Sequence, residues 1–273
     1  MVLTPATSTA IGSRADSEEA PRVASTAVIW HDLECGGYRA DLPLWRELAE
    51  EIGPETGCRI LDVGAGTGRV SLHLARAGHH LTALDSDGEL LDALRERAGG
   101  TRLETVQADA RSFELEIRDY PLCVIPMQTL QLLGGARPRM RFLRHAHSHL
   151  RPGGLLACAI VTDLEPFDSE IEGHGPSPES AHLGGALFVS RALSVRVDRQ
   201  HIRIERERTI TPGSATASTS QPSSRERNVV ELDRLSVARL RRDGLDVGFS
   251  DGGLRSIPET DEHVGSSVVL LRA

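Results

Sequence analysis

The stretch from Arg59 to Gly68, RILDVGAGTG, decides the fold of this chain. Its mostly apolar start, Arg59–Val63, has the length and composition of a short buried strand. Glycines follow at alternate positions, and glycine allows a tight turn that larger residues would obstruct. A helix is predicted next, from Arg69 to Ala77. A strand, a glycine turn and a helix in this order predict a parallel α/β unit with a ligand at the turn.

Short apolar strands and helices continue to alternate as far as Val161. The further predicted strands are Leu81–Leu84, Leu103–Val106, Leu122–Pro126 and Leu155–Val161. The predicted helices are Leu42–Ile52, Glu89–Ala98 and Pro138–Leu150, the last of them stopped by Pro152-Gly153-Gly154. This alternation favours a doubly wound α/β fold, in which a mostly parallel sheet carries helices on both faces.

The pattern changes after the fifth strand. Residues 163–185 are acidic and rich in glycine and proline, which predicts a loop. Leu187–Val197 and His201–Ile210 alternate with period two and are predicted to form an antiparallel hairpin. Residues 211–224 are of low complexity, and we expect a mobile loop there. The whole segment 163–231 is therefore predicted to be an antiparallel β insertion that caps the ligand end of the sheet.

The last part of the chain returns to the pattern of the core. Leu232–Asp243 is predicted to be a helix, and Leu245–Phe249 and Ser267–Leu271 are predicted to be the sixth and seventh strands. The predicted organisation is a disordered segment at 1–26, a lid helix with the core at 27–162, the insertion at 163–231 and the closing elements at 232–273.

The glycine turn differs from a dinucleotide-binding turn at one position. A dinucleotide fingerprint has a third glycine where this chain has Arg69. Asp62 precedes the turn, and its negative charge would repel a pyrophosphate but suits a ligand that carries an ammonium and a sulfonium. These charges favour S-adenosylmethionine over NAD as the ligand of Gly64, Gly66 and Gly68.

Two further acids stand where neighbouring strands end. Asp85 ends the second predicted strand, where a carboxylate can accept both ribose hydroxyls of an adenosine. Asp109 follows the third strand and can take the adenine amino group, with the amide of Ala110 beside it. Taken singly, such acids are ordinary turn or helix-capping residues. Together with the turn they indicate a site for an adenosine conjugate.

Three segments together resemble the class I S-adenosylmethionine-dependent methyltransferase family. They are LDVGAGTGRVSLHLARAGHHLTALDSDGELLDALRERA, VQADAR and LRPGGLLACAI. The resemblance runs from Arg59 to Val161 and again from Leu232 to Leu271. It implies a seven-stranded, Rossmann-like sheet, S-adenosylmethionine as the cofactor, and an N-terminal aromatic residue, Tyr38, that closes over the methionine end.

The candidate cofactor-binding residues come from the motifs and from this resemblance. They are Tyr38, Asp62, Gly64, Ala65, Gly66, Gly68, Asp85, Ser86, Asp109, Ala110, Met127 and Gln128. The resemblance implies a methyl transfer to an O, N or C atom of a small molecule. Two alternatives stay open: a protein of the same fold that binds S-adenosylmethionine without transferring its methyl group, and an NAD-dependent oxidoreductase.

Charge and composition narrow the class of partner. The net charge is −8 with no basic block, and the N/D-P-P-Y motif of nucleic-acid amino-methyltransferases is absent, so we expect no nucleic acid. No stretch offers the roughly 20 apolar residues of a membrane helix. The four cysteines form no C-x-x-C pair, which fits a reduced, cytoplasmic protein. A homo-oligomer is compatible with the sequence.

Histidines supply the candidates for metal binding and catalysis. His145 and His149 have a spacing that can hold a metal, but no third ligand is evident, so no metal site is predicted and both are expected at the surface. His263, in PETDEHVG, is the candidate catalytic base, with Asp261 or Glu262 to orient it. A solvated loop is the alternative for this segment.

The segment just ahead of Tyr38 is also polar. His31-Asp32-Leu33-Glu34 would either line the pocket or form a polar lid.

Overall fold

The computed structural model describes residues 25–53, 57–173, 175–213, 224–260 and 263–273. The predicted disordered segment at 1–26 lies outside these residues except for Ser25 and Thr26, which cap and begin a helix. The predicted mobile loop at 211–224 falls largely outside them, as do Asp261 and Glu262.

The elements are numbered along the chain. The helices are α1 (Thr26–Cys35), α2 (Leu42–Ile52), α3 (Arg69–Arg76), α4 (Gly88–Ala98), α5 (Ala136–His149), α6 (Ser169–Glu172) and α7 (Val237–Val247). The strands are β1 (Arg59–Val63), β2 (His80–Asp85), β3 (Leu103–Gln107), β4 (Tyr120–Ile125), β5 (Leu150–Ile160), β6 (Phe167–Asp168), β7 (Glu179–Leu183), β8 (Ala186–Val197), β9 (His201–Pro212), β10 (Ser224–Asp233), β11 (Ser250–Ile257) and β12 (Ser266–Arg272).

The main sheet has seven strands in the order β11-β12-β5-β4-β1-β2-β3. Strands β1 to β5 pair in parallel, and β12 runs antiparallel to both β5 and β11. The chain builds outward from β1 to β3 and then returns to place β4 on the other side of β1. This reversal lies between β1 and β4, and ligands of such sheets bind at the carboxyl ends of the strands beside it.

Helices cover both faces of the main sheet because alternate residues of each strand point to opposite sides. In β1, Ile60 shares a buried cluster with Trp45 of α2 on one face. Its neighbour Leu61 shares a cluster with Phe142 of α5 and Leu240 of α7 on the other face. The predicted doubly wound, mostly parallel seven-stranded α/β fold is confirmed.

A second, antiparallel sheet is inserted between β5 and α7. Its strands have the order β10-β9-β8-β6, and β7 pairs with β8. The hairpin predicted over Leu187–Val197 and His201–Ile210 is the β8–β9 pair. The predicted antiparallel insertion after the fifth strand is therefore confirmed. The segment predicted as a loop, 163–185, instead contributes the short elements β6, α6 and β7.

The closing helix and sixth strand lie later in the chain than the sequence predicts. Leu232 belongs to β10, and the helix begins after Ser236, whose side chain accepts a hydrogen bond from the Arg239 amide. The helix then continues to Val247 and ends at Gly248, whose φ of 116° suits glycine. The predicted strand Leu245–Phe249 is wrong because this capped helix occupies most of it.

The fifth strand begins earlier than predicted. α5 ends at His149 and β5 starts at once, so Pro152-Gly153-Gly154 lies inside the strand rather than between helix and strand. The register with β4 shifts at this point, as in a β-bulge. The amide of Gly153 donates to the Ala273 carbonyl over 2.7 Å, so the bulge also binds the end of the segment that follows β12.

Histidine 149 is buried, not at the surface as the sequence analysis expected. Its Nε2 accepts the Leu115 amide over 3.0 Å, and its Nδ1 lies 2.7 Å from the His145 carbonyl. The ring therefore uses both nitrogens to hold a loop against α5. In the described residues no group of three or more His, Cys, Asp or Glu is placed to hold a metal.

A buried amide joins the two sheets. The side chain of Gln131 donates to the carbonyls of Val161 and Asp233 and accepts the Val161 amide, over 2.8–3.0 Å. Val161 follows β5 and Asp233 ends β10. Gln131 therefore binds the chain both where the insertion begins and where it ends. Within the described ranges, no helix is long and apolar enough to span a bilayer.

A buried cation holds the closing helix. Arg139 of α5 donates to the Asp243 carboxylate of α7 over 2.9 Å and lies 3.6 Å from the Asp233 carboxylate. All three side chains are almost fully buried. Removing the guanidinium would leave buried negative charge without its main partner, which is strongly destabilising.

We expect Arg139→Ala to lower the free energy of unfolding by about 3 kcal/mol, the low end for a broken buried ion pair, because Arg239 also reaches Asp243. Arg137→Ala, an exposed change on the same helix, is the matched control and should have little effect. Urea unfolding measures both. Equal stability of the two variants would contradict the buried role of Arg139.

Candidate functional site

The glycine turn follows β1 at the reversal point of the sheet. Gly64, Gly66 and Gly68 have φ values of 76°, 54° and 94°, a region that side chains disfavour. The amides of Gly64 and Ala65 both donate to the Leu84 carbonyl on β2, over 2.8 and 3.1 Å. The turn is thus held to the neighbouring strand and presents bare backbone.

Asp85 ends β2 and reaches the turn with its side chain. Its carboxylate accepts the Gly66 amide over 2.8 Å and the Asp87 amide over 3.0 Å, one on each oxygen. A carboxylate has about four acceptor positions, so capacity remains for two further donors. The side chain is half-buried, and Ser86 beside it is exposed. This geometry suits a pair of ligand hydroxyls.

Asp109 lies just past β3, next to this site. The backbone amide of Ala108 donates to the Asp85 carbonyl over 2.9 Å, which brings the two strand ends together. Arg111 binds the Asp109 carboxylate through its side chain and its amide, over 2.6–2.9 Å, and these bonds lower the carboxyl pKa to about 2. Asp109 is therefore ionised, with Arg111 as its present partner. Ala110 packs against the core.

Asp62 lies under the turn. Its side chain is 1% exposed and accepts the Ser71 hydroxyl of α3 over 2.6 Å. Burial raises the pKa of this carboxyl to about 6, which the bond from Ser71 only partly offsets. The sequence argument placed the carboxylate beside the ligand, whereas the structure places it behind the backbone that the ligand would touch.

The end of β4 supplies the next wall of the site. Met127 has a φ of 53°, which is unusual for a residue with a side chain and is found at strained functional positions. Gln128 follows it, and the methyl group of Thr129 would lie 2.3 Å from a Cβ placed on Gly64. Thr129 therefore lies directly on the turn. No sequence motif marks Thr129 beyond its place after a strand.

Helix α1 covers the turn from above. The imidazole of His31 touches Gly66, since its Nε2 would lie 2.3 Å from a Cβ placed there. Asp32 accepts the Thr67 hydroxyl over 2.6 Å and pairs with Arg97 of α4 over 2.6 and 3.0 Å. The polar segment that the sequence analysis left as either pocket or lid thus lies on the candidate site.

The loop after α1 is fastened by Arg69. This residue takes the place of the third glycine of a dinucleotide turn, and it forms a buried ion pair with Asp41 over 2.5 and 2.8 Å. Its guanidinium lies 5.1 Å from the centre of the Tyr38 ring. The ring of His263 packs against the Tyr38 ring, with 4.9 Å between the ring centres. The structure thus brings these two predicted site residues together.

Helix α1 also contacts the inserted sheet. Glu34 accepts two hydrogen bonds from Arg208, over 2.7 and 2.8 Å, and one from Ser190 over 2.8 Å. Trp30 packs edge-on against Phe188, with ring centres 5.3 Å apart. The helix therefore lies between the glycine turn and the insertion, and a ligand between them would be shielded from water.

The arrangement fits an adenosine conjugate better than a dinucleotide. A Cβ on Gly64 or Gly66 would clash with Thr129 or His31, so the close approach of these side chains to the turn depends on bare glycine. Asp85 keeps free acceptor positions one strand away, and Asp109 follows on the next strand. Arg69, which forms an ion pair with Asp41, stands where a dinucleotide turn has its third glycine. A glycine there would allow the helix to pack more closely on the strand.

Comparison with known proteins identifies the core. A family model described as "Methyltransferase domain" matches residues 60–154. The chain is 33% identical over 127 residues to a demethylmenaquinone methyltransferase from Clavibacter sepedonicus, a match that covers 45% of this chain and 50% of that protein. The chain thus spans about half the length of this relative. It is 26% identical over 220 residues to a cypemycin N-terminal methyltransferase from Streptomyces sp, covering 80% and 85%.

Solved structures agree in fold. A sugar N-methyltransferase from Streptoalloteichus sp superposes with a TM-score of 0.66 at 16% identity, covering 96% of this chain and 99% of that one. An S-adenosylmethionine-bound amino pentose methyltransferase from Micromonospora echinaspora superposes with a TM-score of 0.63 at 18% identity, covering 90% and 97%.

Residues 60–154 thus match a methyltransferase domain, and the fold of the chain is that of solved methyltransferases. The match to the methyltransferase domain begins in β1 and ends at residue 154 in β5, so it includes the turn, Asp85 and Asp109. Helix α1 and the inserted sheet lie outside it. The elements that cover the turn are therefore outside the part of the chain that the family model describes.

The buried acid of the methyltransferase domain makes stability depend on pH. Because burial raises the pKa of Asp62 to about 6, the folded state binds a proton that the unfolded state has lost above its ordinary value near 3.8. Stability from this group is present in full below about pH 4 and is lost as the pH rises through about 6. The total is on the order of 3 kcal/mol.

Asp62→Asn should remove this dependence, because the amide keeps an acceptor for Ser71 and does not ionise. Urea unfolding of both proteins between about pH 4 and about pH 7 measures it. As the pH rises, we expect the free energy of unfolding of the variant to increase relative to that of the natural protein. Parallel stability profiles for the two proteins would show that Asp62 does not titrate in this range.

Proposed function

We propose that this protein is an S-adenosylmethionine-dependent methyltransferase that methylates an O, N or C atom of a small molecule. The observation that carries the proposal is the hydrogen-bonded pair of Asp85 and Gly66, which sets a half-buried carboxylate with free acceptor positions beside a bare-backbone turn. The match of residues 60–154 to a methyltransferase domain supports it.

Each part of the cofactor has a proposed partner in the chain. The Asp85 carboxylate would accept the two ribose hydroxyls. Asp109, whose two oxygens both bind Arg111, would receive the adenine amino group in exchange for one of those bonds. The methionine part would lie along the turn, between Gly64 and the loop that carries Tyr38. The order of β1, β2 and β3 in the sheet matches the order of these three parts.

S-adenosylmethionine, when bound, supplies a methyl group that its positively charged sulfur already activates. The residues of this chain would contribute alignment and the exclusion of water, and alignment alone is worth several powers of ten in rate. Helix α1 serves both purposes, because it is tied to the core through Asp32 and to the insertion through Glu34. The acceptor would bind between the turn and the inserted sheet.

A small molecule is the acceptor class that the chain favours. Helix α1 lies against the turn and is bound to the inserted sheet, and a site covered in this way suits a small ligand better than a polymer. The net charge of −8 disfavours a nucleic-acid backbone. Four free cysteines, three of them buried, support the proposal that the protein works in the reducing cytoplasm.

Binding of the cofactor product tests the proposal directly. In isothermal titration calorimetry, S-adenosylhomocysteine should bind the natural protein, and Asp85→Ala should weaken binding about 10- to 100-fold, because hydrogen bonds to a charged group are lost. Asp92→Ala is the matched control, since Asp92 is an exposed acid on α4. The proposal fails if the natural protein shows no binding to S-adenosylhomocysteine or S-adenosylmethionine.

A further inference from the structure

His31 has a position that the sequence motifs do not explain. It comes from α1, outside the matched methyltransferase domain, and its half-buried ring lies against Gly66. The same helix contacts the inserted sheet within one turn of His31, through Trp30 and Glu34. The imidazole therefore lies where a ligand on the turn would meet a ligand held by the insertion.

The hydrogen bonds around His31 fix which nitrogen carries the proton. Thr67 has one hydroxyl proton, and its 2.6 Å bond to Asp32 uses it, because an ionised carboxylate only accepts. Arg97 holds that carboxylate in its charged form with two bonds. The Thr67 oxygen, 3.3 Å from Nδ1 of His31, must then accept a proton from the ring. Nδ1 is protonated, and Nε2 keeps a free lone pair beside Gly66.

Burial keeps the ring neutral. Burial lowers the pKa of His31, and the positive charges of Arg69 and Arg97 act in the same direction. Asp32 and Asp85 oppose them and would stabilise an imidazolium once it formed. A neutral ring can lie beside a positively charged sulfur, whereas an imidazolium would repel it.

We propose that Nε2 of His31 is the general base that accepts the proton of the methyl acceptor. This inference rests on the proposed function and narrows it to an acceptor whose nucleophilic atom carries a proton, such as a hydroxyl or an amine. As the nucleophile bonds to the methyl carbon, its proton moves to Nε2. The carbon–sulfur bond breaks, and its electron pair stays on sulfur, which becomes a neutral thioether.

Thr67, Asp32 and Arg97 are then positioning residues. They hold the ring in the tautomer that leaves Nε2 free, in the way that a carboxylate orients the histidine of other general-base sites. His263, the base expected from the sequence, packs on the Tyr38 ring, and its only hydrogen bonds in the described residues involve its backbone, with Thr260. No such chain of partners fixes its tautomer there.

Nuclear magnetic resonance of the imidazoles tests the inference without an acceptor. The full-length protein labelled at histidine is titrated with pH alone, with S-adenosylmethionine and with S-adenosylhomocysteine. We expect the Nδ1-protonated tautomer for His31. Its pKa should be roughly half a unit or more lower with the charged ligand than with the neutral one, as a unit charge a few ångströms away requires. The His201 signal, on the far β8–β9 turn, is the internal control.

Thr67→Val keeps the shape of the side chain but removes the acceptor for Nδ1, so the His31 tautomer should shift toward Nε2–H. The inference is overturned if His31 is protonated at Nε2 in the natural protein, or if both ligands bind and give His31 the same pKa. If neither ligand binds at all, the proposed function itself fails. These results are distinguishable, because calorimetry on the same sample reports binding independently of the ring.

Discussion

The hydrogen bond from the Gly66 amide to the Asp85 carboxylate is the constraint on which the site depends. It links the turn after β1 to the end of β2, over 2.8 Å, and so sets the distance between bare backbone and a half-buried acid. The parallel sheet makes this possible, because adjacent strands deliver both residues to the same edge. The positive φ of Gly66 then leaves room for the imidazole of α1 to cover the pair.

Much of the fold could be predicted from sequence because the central strands are buried on both faces and read as short apolar runs. Strand β1 has the predicted bounds for this reason. Helix α2 has them because its buried residues recur at helical spacing. The errors fall where burial is one-sided or absent. Strand β10, SRERNVVELD, is mostly exposed and was not predicted, and β11 carries two glycines and a bulge that hide its pattern.

The candidate site was predictable only in part. Asp85 and Asp109 were found because the end of each strand can be read from the chain. Two contacts of the site join segments that are about one helix and one strand apart in the chain. They are Gly66 with His31 and Arg69 with Asp41. No local sequence pattern predicts contacts between such distant segments. Asp62 was found, but only the structure shows that its charge lies behind the turn.

Two parts of the structure thus meet at the glycine turn. The main sheet positions the turn from below, and α1 joins it to the inserted sheet from above. A crystal structure of the protein with S-adenosylhomocysteine tests this most directly. It should show both ribose hydroxyls on the Asp85 carboxylate and the thioether sulfur beneath α1. A ligand bound away from the turn, with Asp85 facing only solvent and Gly66, would contradict it.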